Sequence, residues 1–247
     1  MYHIVIPARY GSTRLPAKAL ADINGKPMVY WVWRQAMQSR AVSVTVATDD
    51  DRIRSALIPH GVEVAMTDPD HPSGTDRLAE VARVKGWGAD SVVVNLQGDE
   101  PLMPVANLEQ VADLLLAHPE ASISTLCEQI ASHASFVDPS VVKVVSDSRG
   151  RAHYFSRAPI PFDRDGDTKS VPSEARRHIG LYAYRAGFLQ EFSSGSVAPY
   201  ERLESLEQLR ALHSGHEIRI ADAKETVPAG VDTEADLETV RAIMAEQ

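Results

Sequence analysis

Short apolar runs alternate with longer stretches of helical periodicity in the first half of the chain. The apolar runs predict strands at 4–6, 44–47, 62–66 and 92–96, and the helical patterns between them cover 28–38, 52–59 and 77–85. This order is typical of βαβ units, which build a parallel sheet. The first and last of these strands are apolar without alternation, as expected of strands that helices cover on both faces.

A different pattern follows a predicted helix at 105–117. Strand-like segments are separated by turns with proline or glycine, which indicates a mixed or antiparallel extension of the sheet. The later elements are predicted as strands 123–126, 141–145, 178–185 and 218–221 and helices 202–213 and 233–245. We therefore predict one α/β domain over 1–247, with a Rossmann-like, mainly parallel sheet between helices and a smaller subdomain at approximately 148–196.

The predicted sheet also indicates where a site lies. Ligands of open α/β sheets bind beyond the carboxyl ends of the strands. Four segments follow predicted strands at that edge, namely 7–18, 48–50, 67–76 and 97–101. We expect the functional residues of this half of the chain to lie in them.

Composition excludes several classes of protein. The 247 residues are 44% hydrophobic and carry a formal net charge of −9, which argues against wholesale binding of nucleic acid. No run approaches the ~18 apolar residues of a membrane span, and the N-terminus lacks the pattern of a signal peptide. Cys127 is the only cysteine and cannot form a disulfide within the chain, so we expect a cytoplasmic protein.

Several common catalytic signatures are absent from the sequence. It contains no G-x-G-x-x-G, no G-x-x-x-x-G-K-[ST], no G-x-S-x-G, no C-x-x-C and no H-E-x-x-H. NAD-dependent enzymes, P-loop NTPases, α/β-hydrolases and zinc proteases are therefore disfavoured.

The segment 7–18, directly after the first predicted strand, is a candidate anion site. It contains three cations and no acid. Small residues at Gly11, Ser12 and Thr13 allow backbone N–H groups to approach an anion, and Arg14 and Lys18 add charge-assisted hydrogen bonds. The alternative is a solvated basic loop, which the position at the end of a strand disfavours.

A family resemblance extends this hypothesis. The segment 6–18, IPARYGSTRLPAK, resembles the nucleotide-binding signature of the sugar-acid cytidylyltransferases, and within them the 3-deoxy-manno-octulosonate (KDO) cytidylyltransferases. Further matching motifs follow in order along the chain: DINGKPM at 22–28, ATD at 47–49, SGTDR at 73–77, NLQGDEP at 95–101, YFSR at 154–157, HIGLY at 178–182, LEQLR at 206–210 and GVDT at 230–233. Ala17, Ala19 and Asp76 depart from the Gly, Pro and Glu that the family more often has, and leave the charged positions unchanged.

The resemblance implies a nucleotide-diphospho-sugar transferase type of fold and a reaction. In that reaction the anomeric hydroxyl of KDO attacks the α-phosphorus of CTP and releases pyrophosphate. Mg²⁺ is the implied cofactor, and Asp99 and Asp232 correspond to the family's metal pair. From the residues alone, Asp232 is also a good N-cap for the last helix and Asp99 is also a plausible turn residue.

The remaining site residues follow from the same resemblance. The implied catalytic residues are Arg14, Lys18, Asp99 and Asp232. The implied nucleotide-binding residues are Ala8, Arg9, Tyr10, Ser12, Thr13, Arg14, Lys18, Ser73, Gly74, Thr75, Arg77 and Gln97. The implied sugar-binding residues are Gln97, Arg157, Arg164, His178, Tyr182, Glu207 and Gln208. The resemblance further implies a homodimer formed through the smaller subdomain and a role in lipopolysaccharide biosynthesis in a Gram-negative cytoplasm.

Three alternatives remain open. The sugar acid could be 8-amino-KDO or a sialic acid, because one exchanged group changes no motif. A sugar-1-phosphate nucleotidyltransferase would begin with a glycine-dense loop where this chain has Pro7, Ala8 and Arg9. The third alternative, an inactive nucleotide-binding module, would have no reason to retain Arg14 and Lys18 with both aspartates.

Overall fold

A mixed β-sheet runs through the computed structural model, which describes residues 1–11, 15–167 and 170–245. The strands are β1 (Tyr2–Pro7), β2 (Asp22–Ile23), β3 (Lys26–Pro27), β4 (Ser43–Thr48), β5 (Glu63–Met66), β6 (Val92–Asn95), β7 (Ile123–Gln129), β8 (Lys143–Ser146), β9 (Ala152–Ser156), β10 (Arg176–Arg185) and β11 (Ile218–Asp222). The main sheet has the order β11-β7-β10-β6-β1-β4-β5, β8 joins β10 to β9, and β2 and β3 form a separate hairpin.

Helices cover both faces of this sheet. They are α1 (Met28–Ala36), α2 (Asp51–Leu57), α3 (Gly74–Val84), α4 (Val105–Leu116), α5 (His133–Val137), α6 (Ala186–Ser194), α7 (Pro199–Glu204), α8 (Gln208–His213) and α9 (Glu234–Ala245). Ile4 and Ile6 of β1 pack into one core cluster with α1, α2 and α4, whereas Val5 packs into another with α3, α6 and α8. The predicted α/β class and the burial of both faces of β1 are confirmed.

The two halves of the sheet differ in strand direction. β1 pairs in parallel with β4 and β6, and β4 with β5, as the βαβ pattern predicts. β10 is antiparallel to β6 on one side and to β7 on the other, so the predicted antiparallel extension is confirmed. The stretch 148–196 therefore includes a central strand of the main sheet. Its assignment to a sugar-binding and dimerisation subdomain stays a prediction.

The predicted helix at 202–213 is interrupted, and its two parts belong to α7 and α8. α7 ends at Glu204, Ser205 adopts the left-handed conformation with φ of 51°, and α8 begins only at Gln208. The apolar periodicity continues across this break, because Leu206 and Leu209 are both buried. Periodicity alone therefore did not indicate that the backbone turns here. The β2–β3 hairpin, β9, α5 and α6 were not predicted from the sequence.

Within 1–11, 15–167 and 170–245, no helix combines the length and the apolar composition that a membrane span requires.

Candidate active site

A cleft of about 610 Å³ opens at the carboxyl ends of the parallel strands. It is lined by residues from all four segments that follow the predicted strands, which confirms the expected position of the site. Its charged lining residues are Arg9, Lys18, Asp49, Arg77, Asp99, Glu207 and Asp232. The cleft therefore brings together residues that lie more than two hundred positions apart in the sequence.

Lys18 lies between two carboxylates at one end of this cleft. Its Nζ donates to Asp99 Oδ2 at 2.5 Å and to Asp232 Oδ1 at 3.1 Å. The lysine begins a short 3₁₀ turn, Lys18–Leu20, and is preceded by Ala17 in the left-handed conformation with φ of 55°. One ammonium group between two carboxylates leaves a formal net charge of −1, so this end of the cleft attracts a further cation.

Asp99 is positioned by a turn that packs closely against β1. A Cβ on Gly98 would lie 2.9 Å from the Pro7 carbonyl oxygen, so a side chain at this position would force the turn away from the strand. The backbone N–H of Val231 donates to the Asp99 carbonyl oxygen at 2.9 Å. This bond ties the turn to the segment that carries Asp232.

Thr233, rather than Asp232, caps the last helix. The Asp236 N–H donates to Thr233 Oγ1 at 3.3 Å, and the Thr233 N–H donates to Asp236 Oδ2 at 2.8 Å, which is a reciprocal capping arrangement. The Asp232 N–H also donates to the Asp236 carboxylate, at 3.1 Å. With the cap supplied by its neighbour, the Asp232 carboxylate faces Lys18, so the N-cap interpretation of Asp232 is wrong.

Glu100, next to Asp99, has a strongly raised pKa. Burial raises its pKa to about 8, and the charges of Asp99 and Asp232 act in the same direction. Its surroundings therefore favour the protonated form of the carboxyl. Its Oε1 would lie 3.0 Å from a Cβ on Gly230, so this glycine allows the two segments to approach each other.

Arg77 and Asp49 form an ion pair in the lining of the cleft. The buried Arg77 guanidinium donates from Nη2 to Asp49 Oδ2 at 2.8 Å and from Nη1 to Thr67 Oγ1 at 2.7 Å. The neighbouring Asp50 caps α2, because its side chain accepts from the Arg52 N–H. Because Arg77 already has these partners, the geometry favours a positioning role for it; its assignment as a nucleotide ligand stays a prediction.

The structure brings most of the proposed nucleotide-binding residues to this cleft. Ala8, Arg9, Lys18, Ser73, Gly74, Arg77 and Gln97 line it. Tyr10 instead packs under the Arg52 guanidinium, whose Cζ lies 3.3 Å from the ring centroid. Ser73 caps α3 by accepting from the Asp76 N–H, so the Ser73 to Thr75 turn is fixed by the start of that helix. Ser12, Thr13 and Arg14 lie outside the described residues.

A smaller pocket of about 260 Å³ adjoins the cleft and shares Gly74, Gln97 and Glu207 with it. Tyr182 and Gln208, both predicted to bind the sugar, line this pocket. The Thr75 hydroxyl donates to Glu207 Oε2 at 2.9 Å. The Glu207 residue is partly accessible to solvent, but burial of its carboxylate raises its pKa. The hydrogen bond from Thr75 acts in the opposite direction.

The other three predicted sugar ligands lie outside both cavities. His178 lies behind the pocket, with Nε2 2.9 Å from Thr125 Oγ1 and its ring against Tyr182, and burial lowers its pKa to about 3. Arg157 donates from Nε to the Glu204 carbonyl at 2.7 Å and from Nη1 to the Pro139 carbonyl at 2.9 Å. Arg164 is exposed and contacts Asp165. Arg157 thus holds the end of α7, and all three sugar assignments stay predictions.

His71 and Asn95 are two of the polar cavity-lining residues that were not predicted from the sequence. His71 lines the cleft, and its Nε2 lies 2.7 Å from Glu80 Oε2. Asn95 lines the pocket and is buried at the end of β6. Its signal was a polar residue at the end of an otherwise apolar strand, 92–95, which the sequence analysis treated only as part of a motif.

The donor set fits a hard divalent cation. Asp99 and Asp232 share one ammonium group, so both carboxylates face the same point of the cleft. Among the described residues, no group of three or more His, Cys, Asp or Glu is arranged to hold a metal. Mg²⁺ sites commonly use one or two carboxylates, with substrate phosphates and water completing the octahedron, so two aspartates suffice.

Comparisons with known proteins identify the family to which this chain belongs. Residues 3–218 match the sequence profile of a family described as Cytidylyltransferase. The chain is 54% identical to the 3-deoxy-manno-octulosonate cytidylyltransferase of Chromohalobacter salexigens, over 98% of this chain and 96% of that protein. It is 51% identical to the enzyme of the same name from Vibrio parahaemolyticus, over 100% of this chain and 99% of that protein.

Solved structures give the same result. A structure described as CMP:2-keto-3-deoxy-manno-octonic acid synthetase complexed with CTP superposes with a TM-score of 0.91 at 44% identity, covering 100% of this chain and 99% of that one. A cytidylyltransferase from Leptospira borgpetersenii shares the fold, with a TM-score of 0.66 at 18% identity over 100% of this chain and 87% of that one. The chain therefore belongs to the cytidylyltransferase family, within the group of the 3-deoxy-manno-octulosonate enzymes.

Proposed function

We propose that this chain transfers CMP from CTP to the anomeric hydroxyl of KDO, with release of pyrophosphate. The observation that carries the proposal is the convergence of Lys18, Asp99 and Asp232 at one end of a cleft at the strand termini. The relatives described above have nearly the same length as this chain, and their names describe this transfer. The product, CMP-KDO, would feed lipopolysaccharide biosynthesis.

CTP would occupy the larger cleft. Its phosphates carry several negative charges, and the described cations that line the cleft are Arg9, Lys18 and Arg77. Arg77 is committed to Asp49 and Thr67, so Arg9 and Lys18 are the described side chains best able to bind phosphate oxygens. Backbone groups of 8–10 and of the 73–75 turn would form hydrogen bonds with the polar edge of the cytosine. The start of α3 holds that turn in place.

Mg²⁺ would be held by Asp99 and Asp232. When bound, the ion would offset the charge of the triphosphate and lower the pKa of the attacking hydroxyl, so we assign no side-chain base. The protein's own part is to keep both carboxylates oriented: the 97–100 turn holds Asp99, and the Thr233 cap directs Asp232. Lys18 would then be available to bond with phosphate as charge develops on the leaving pyrophosphate.

KDO would enter the adjoining pocket. That pocket is lined by aromatic rings, hydroxyls and amides, with Glu207 as its carboxylate, which suits a polyhydroxylated chain. Gln97 and Glu207 line both cavities, so the reacting end of the sugar would lie between them. Closeness of the two substrates at this junction would supply much of the rate enhancement.

Pyrophosphate release with CTP and Mg²⁺ tests the proposal. The acceptors are KDO, 8-amino-KDO and N-acetylneuraminate, UTP and ATP replace CTP as nucleotide controls, and Asp99→Ala is the blank. The matched control is Asp113→Ala, which removes an exposed carboxylate of α4 that pairs with Arg40. We expect turnover with KDO and CTP, lost in Asp99→Ala and retained in Asp113→Ala. Turnover with another sugar acid alone would reassign the substrate. If none of the acceptors gives turnover, the alternative of an inactive nucleotide-binding module is favoured.

We also propose that the chain forms a homodimer in the cytoplasm. Just after the predicted subdomain at 148–196, the turn before α7 and that helix expose apolar side chains, with Leu203 82% exposed and Val197 and Tyr200 about half exposed. Such a patch is typical of a protein contact. Light scattering of the purified protein, compared with Leu203→Glu, tests it: we expect the variant to shift toward monomer. Leu116→Glu, an exposed leucine of α4, should leave the mass unchanged, and a monomeric parent protein would refute the dimer.

A further inference from the structure

The segment that carries Asp232 to the cleft belongs to no regular element. Between β11 and α9, the described backbone of 223–233 forms no helix or strand. Val227 and Val231 are the buried residues of this stretch. Irregular backbone near the surface keeps a fixed path only where other contacts hold it, so the position of Asp232 depends on those contacts.

One ion pair holds both backbone groups of Val227. The Val227 N–H donates to Glu128 Oε1 at 2.7 Å, and Arg177 Nη2 donates to the Val227 carbonyl oxygen at 3.1 Å. Arg177 also donates from Nε and Nη2 to Glu128 Oε2, at 2.9 and 2.7 Å. Each of the two Nη2 hydrogens therefore has its own acceptor. We call Glu128 and Arg177 the Val227 clamp.

The Val227 clamp is part of the main sheet. Glu128 and Arg177 are direct cross-strand partners on β7 and β10, where a pair of opposite charges stabilises the strand pairing. The side chain of Val227 packs into the core cluster that β1, β6 and α4 share. Hydrogen bonds with charged groups are stronger than those between neutral groups. The irregular segment is therefore tied firmly to the sheet at Val227.

Val231 is a second anchor of the segment, four residues further on. Its N–H donates to the Asp99 carbonyl oxygen at 2.9 Å, and its side chain is buried in a cluster with residues of α1 and α9. Asp232 is the next residue, and its carboxylate accepts from Lys18 Nζ. The direction of the Asp232 side chain therefore depends on the path by which the backbone reaches Val231.

The connection between the two anchors has little freedom. It consists only of residues 228–230, and the ring of Pro228 fixes the backbone angle φ at its start. A Cβ on Gly230 would lie 3.0 Å from Glu100 Oε1, so the end of the connection packs closely against the turn after β6. A displacement of Val227 would therefore be transmitted along this short connection to Asp232.

We propose that Glu128 and Arg177 are positioning residues for Asp232, which they hold in place through the clamped segment. Neither residue lines the cleft or the pocket, so we assign neither a contact with a substrate. The inference rests on the proposed function, because it takes Asp232 as a ligand of Mg²⁺. It predicts that loss of the clamp weakens the use of Mg²⁺ and spares the binding of KDO.

Glu128→Ala and Glu128→Gln test the role of the clamp. Alanine removes both acceptor oxygens, whereas glutamine keeps one oxygen for the Val227 N–H and loses the charge that pairs with Arg177. We expect the Mg²⁺ concentration for half-maximal pyrophosphate release to rise about five- to tenfold in Glu128→Ala, the range that one hydrogen bond of this kind supplies, and less in Glu128→Gln. The KM for KDO at saturating Mg²⁺ should change by less than about twofold.

Binding of CTP in the absence of KDO gives a readout without turnover. Calorimetry with Mg²⁺ and with a chelator measures how far the ion tightens CTP binding. We expect Glu128→Ala to lose about five- to tenfold of this gain and to bind metal-free CTP within about twofold of the wild type. In Asp232→Asn, the addition of Glu128→Ala should change the gain by less than about twofold, because the clamp acts through Asp232.

Ser124→Ala is the matched control. Ser124 lies on the same strand as Glu128, is fully buried, and donates to the Val111 carbonyl oxygen of α4 at 2.6 Å. Its loss removes a buried hydrogen bond to α4 rather than to the segment, so stability should fall while the Mg²⁺ dependence stays within about twofold. Urea unfolding shows which variants are folded. If Glu128→Ala does not fold, Glu128→Gln and Arg177→Lys provide the same test.

The outcomes separate this inference from the proposed function. Wild-type enzyme that is inactive with KDO and CTP would refute the proposed function. Active enzyme whose clamp variants keep the Mg²⁺ dependence of the wild type would refute only the role of the clamp. A lower kcat with unchanged Mg²⁺ dependence would indicate a loss of folded enzyme and would also contradict the inference.

Discussion

The main cleft and the adjoining pocket share Gly74, Gln97 and Glu207 but differ in the charge state of their other ionisable side chains. In the cleft, Lys18 pairs with two aspartates and Arg77 pairs with Asp49, so the ionised side chains are held by charged partners. In and behind the pocket, burial raises the pKa of Tyr182 well above its usual value and lowers that of His178 to about 3, which keeps both groups neutral. The first region suits the triphosphate and cation of the proposed reaction, and the second suits the hydroxyl-bearing part of the proposed sugar acid.

The largest expected effect comes from removing the charge at the centre of the cleft. In Lys18→Met the two aspartates lose their shared ammonium group, and the phosphates lose a cation. We expect kcat/KM to fall by about 100-fold or more, the usual loss when one group that stabilises developing charge is removed. The measurement is steady-state pyrophosphate release.

The control for this variant is Lys26→Met. Lys26 belongs to the β2–β3 hairpin, and its Nζ lies over the Tyr30 ring. We expect it to retain activity within about twofold, since it does not line the cleft. Retention of more than a tenth of the activity in Lys18→Met would show that the paired charges of the cleft are not central to the reaction.

An intermediate effect concerns the neutral histidine behind the pocket. The folded pKa of His178 is about 3 and its ordinary value is 6.5, so between these values the unfolded chain binds the additional proton. Stability from this residue is therefore present above pH 6.5 and is lost as pH falls toward 3. We expect a loss on the order of 1 kcal/mol between about pH 7.5 and 5.5, because the side chain is only partly shielded from solvent.

Urea unfolding of wild type and His178→Gln at both pH values measures this loss. The variant should lose less stability on acidification, by about the amount assigned to His178. His153→Gln, at an exposed position of β9, should behave as the wild type does. An equal pH dependence in wild type and His178→Gln would show that the histidine ionises freely, and would remove one basis of the contrast between cleft and pocket.

The smallest effect concerns the backbone that positions Lys18. Ala17 has φ of 55°, a conformation that costs an L-residue with a Cβ roughly 1–2 kcal/mol. Glycine avoids this cost but loses about 0.5–1 kcal/mol in backbone entropy on folding. We therefore expect Ala17→Gly to raise the free energy of unfolding by about 0.5 kcal/mol.

Ala21, which has φ of −53° just after the same turn, is the matched control. Ala21→Gly gains nothing from relief of strain and should lower the free energy of unfolding by about 0.5–1 kcal/mol. Thermal or urea unfolding of both variants gives the comparison. A destabilised Ala17→Gly would mean that the turn before Lys18 is not strained by the alanine.

The contrast between the regions also explains what could be predicted from the sequence. The cleft is formed by segments that directly follow strands, so the hydrophobic pattern that located β1, β4, β5 and β6 also located the segments that line it. The pocket depends on features that no periodicity records. Ser205 turns the backbone within an apolar pattern, and Asn95 lies beside Tyr182 only because β6 pairs with β10.

Individual residues show the same limit. Asp232 and Thr233 are both acceptable N-caps by residue type, and only the position of Asp236 decides between them. Arg157 has the charge of a carboxylate ligand, but its guanidinium is used to hold the end of α7. The motif match named the right segments, whereas the function of each side chain within them depends on neighbours from other parts of the chain.

The antiparallel strand β10 has a consequence for how the protein is made. β6 ends at Asn95 and β7 at Gln129, yet the strand that joins them begins only at Arg176. A nascent chain that has left the ribosome as far as β7 therefore presents one edge of β6 and both edges of β7 unpaired. About fifty more residues must emerge before β10 begins, and the other edge of β7 waits for β11 (Ile218–Asp222). Completion of the sheet is a late, long-range event, which predicts slow folding and a need for protection from aggregation during synthesis.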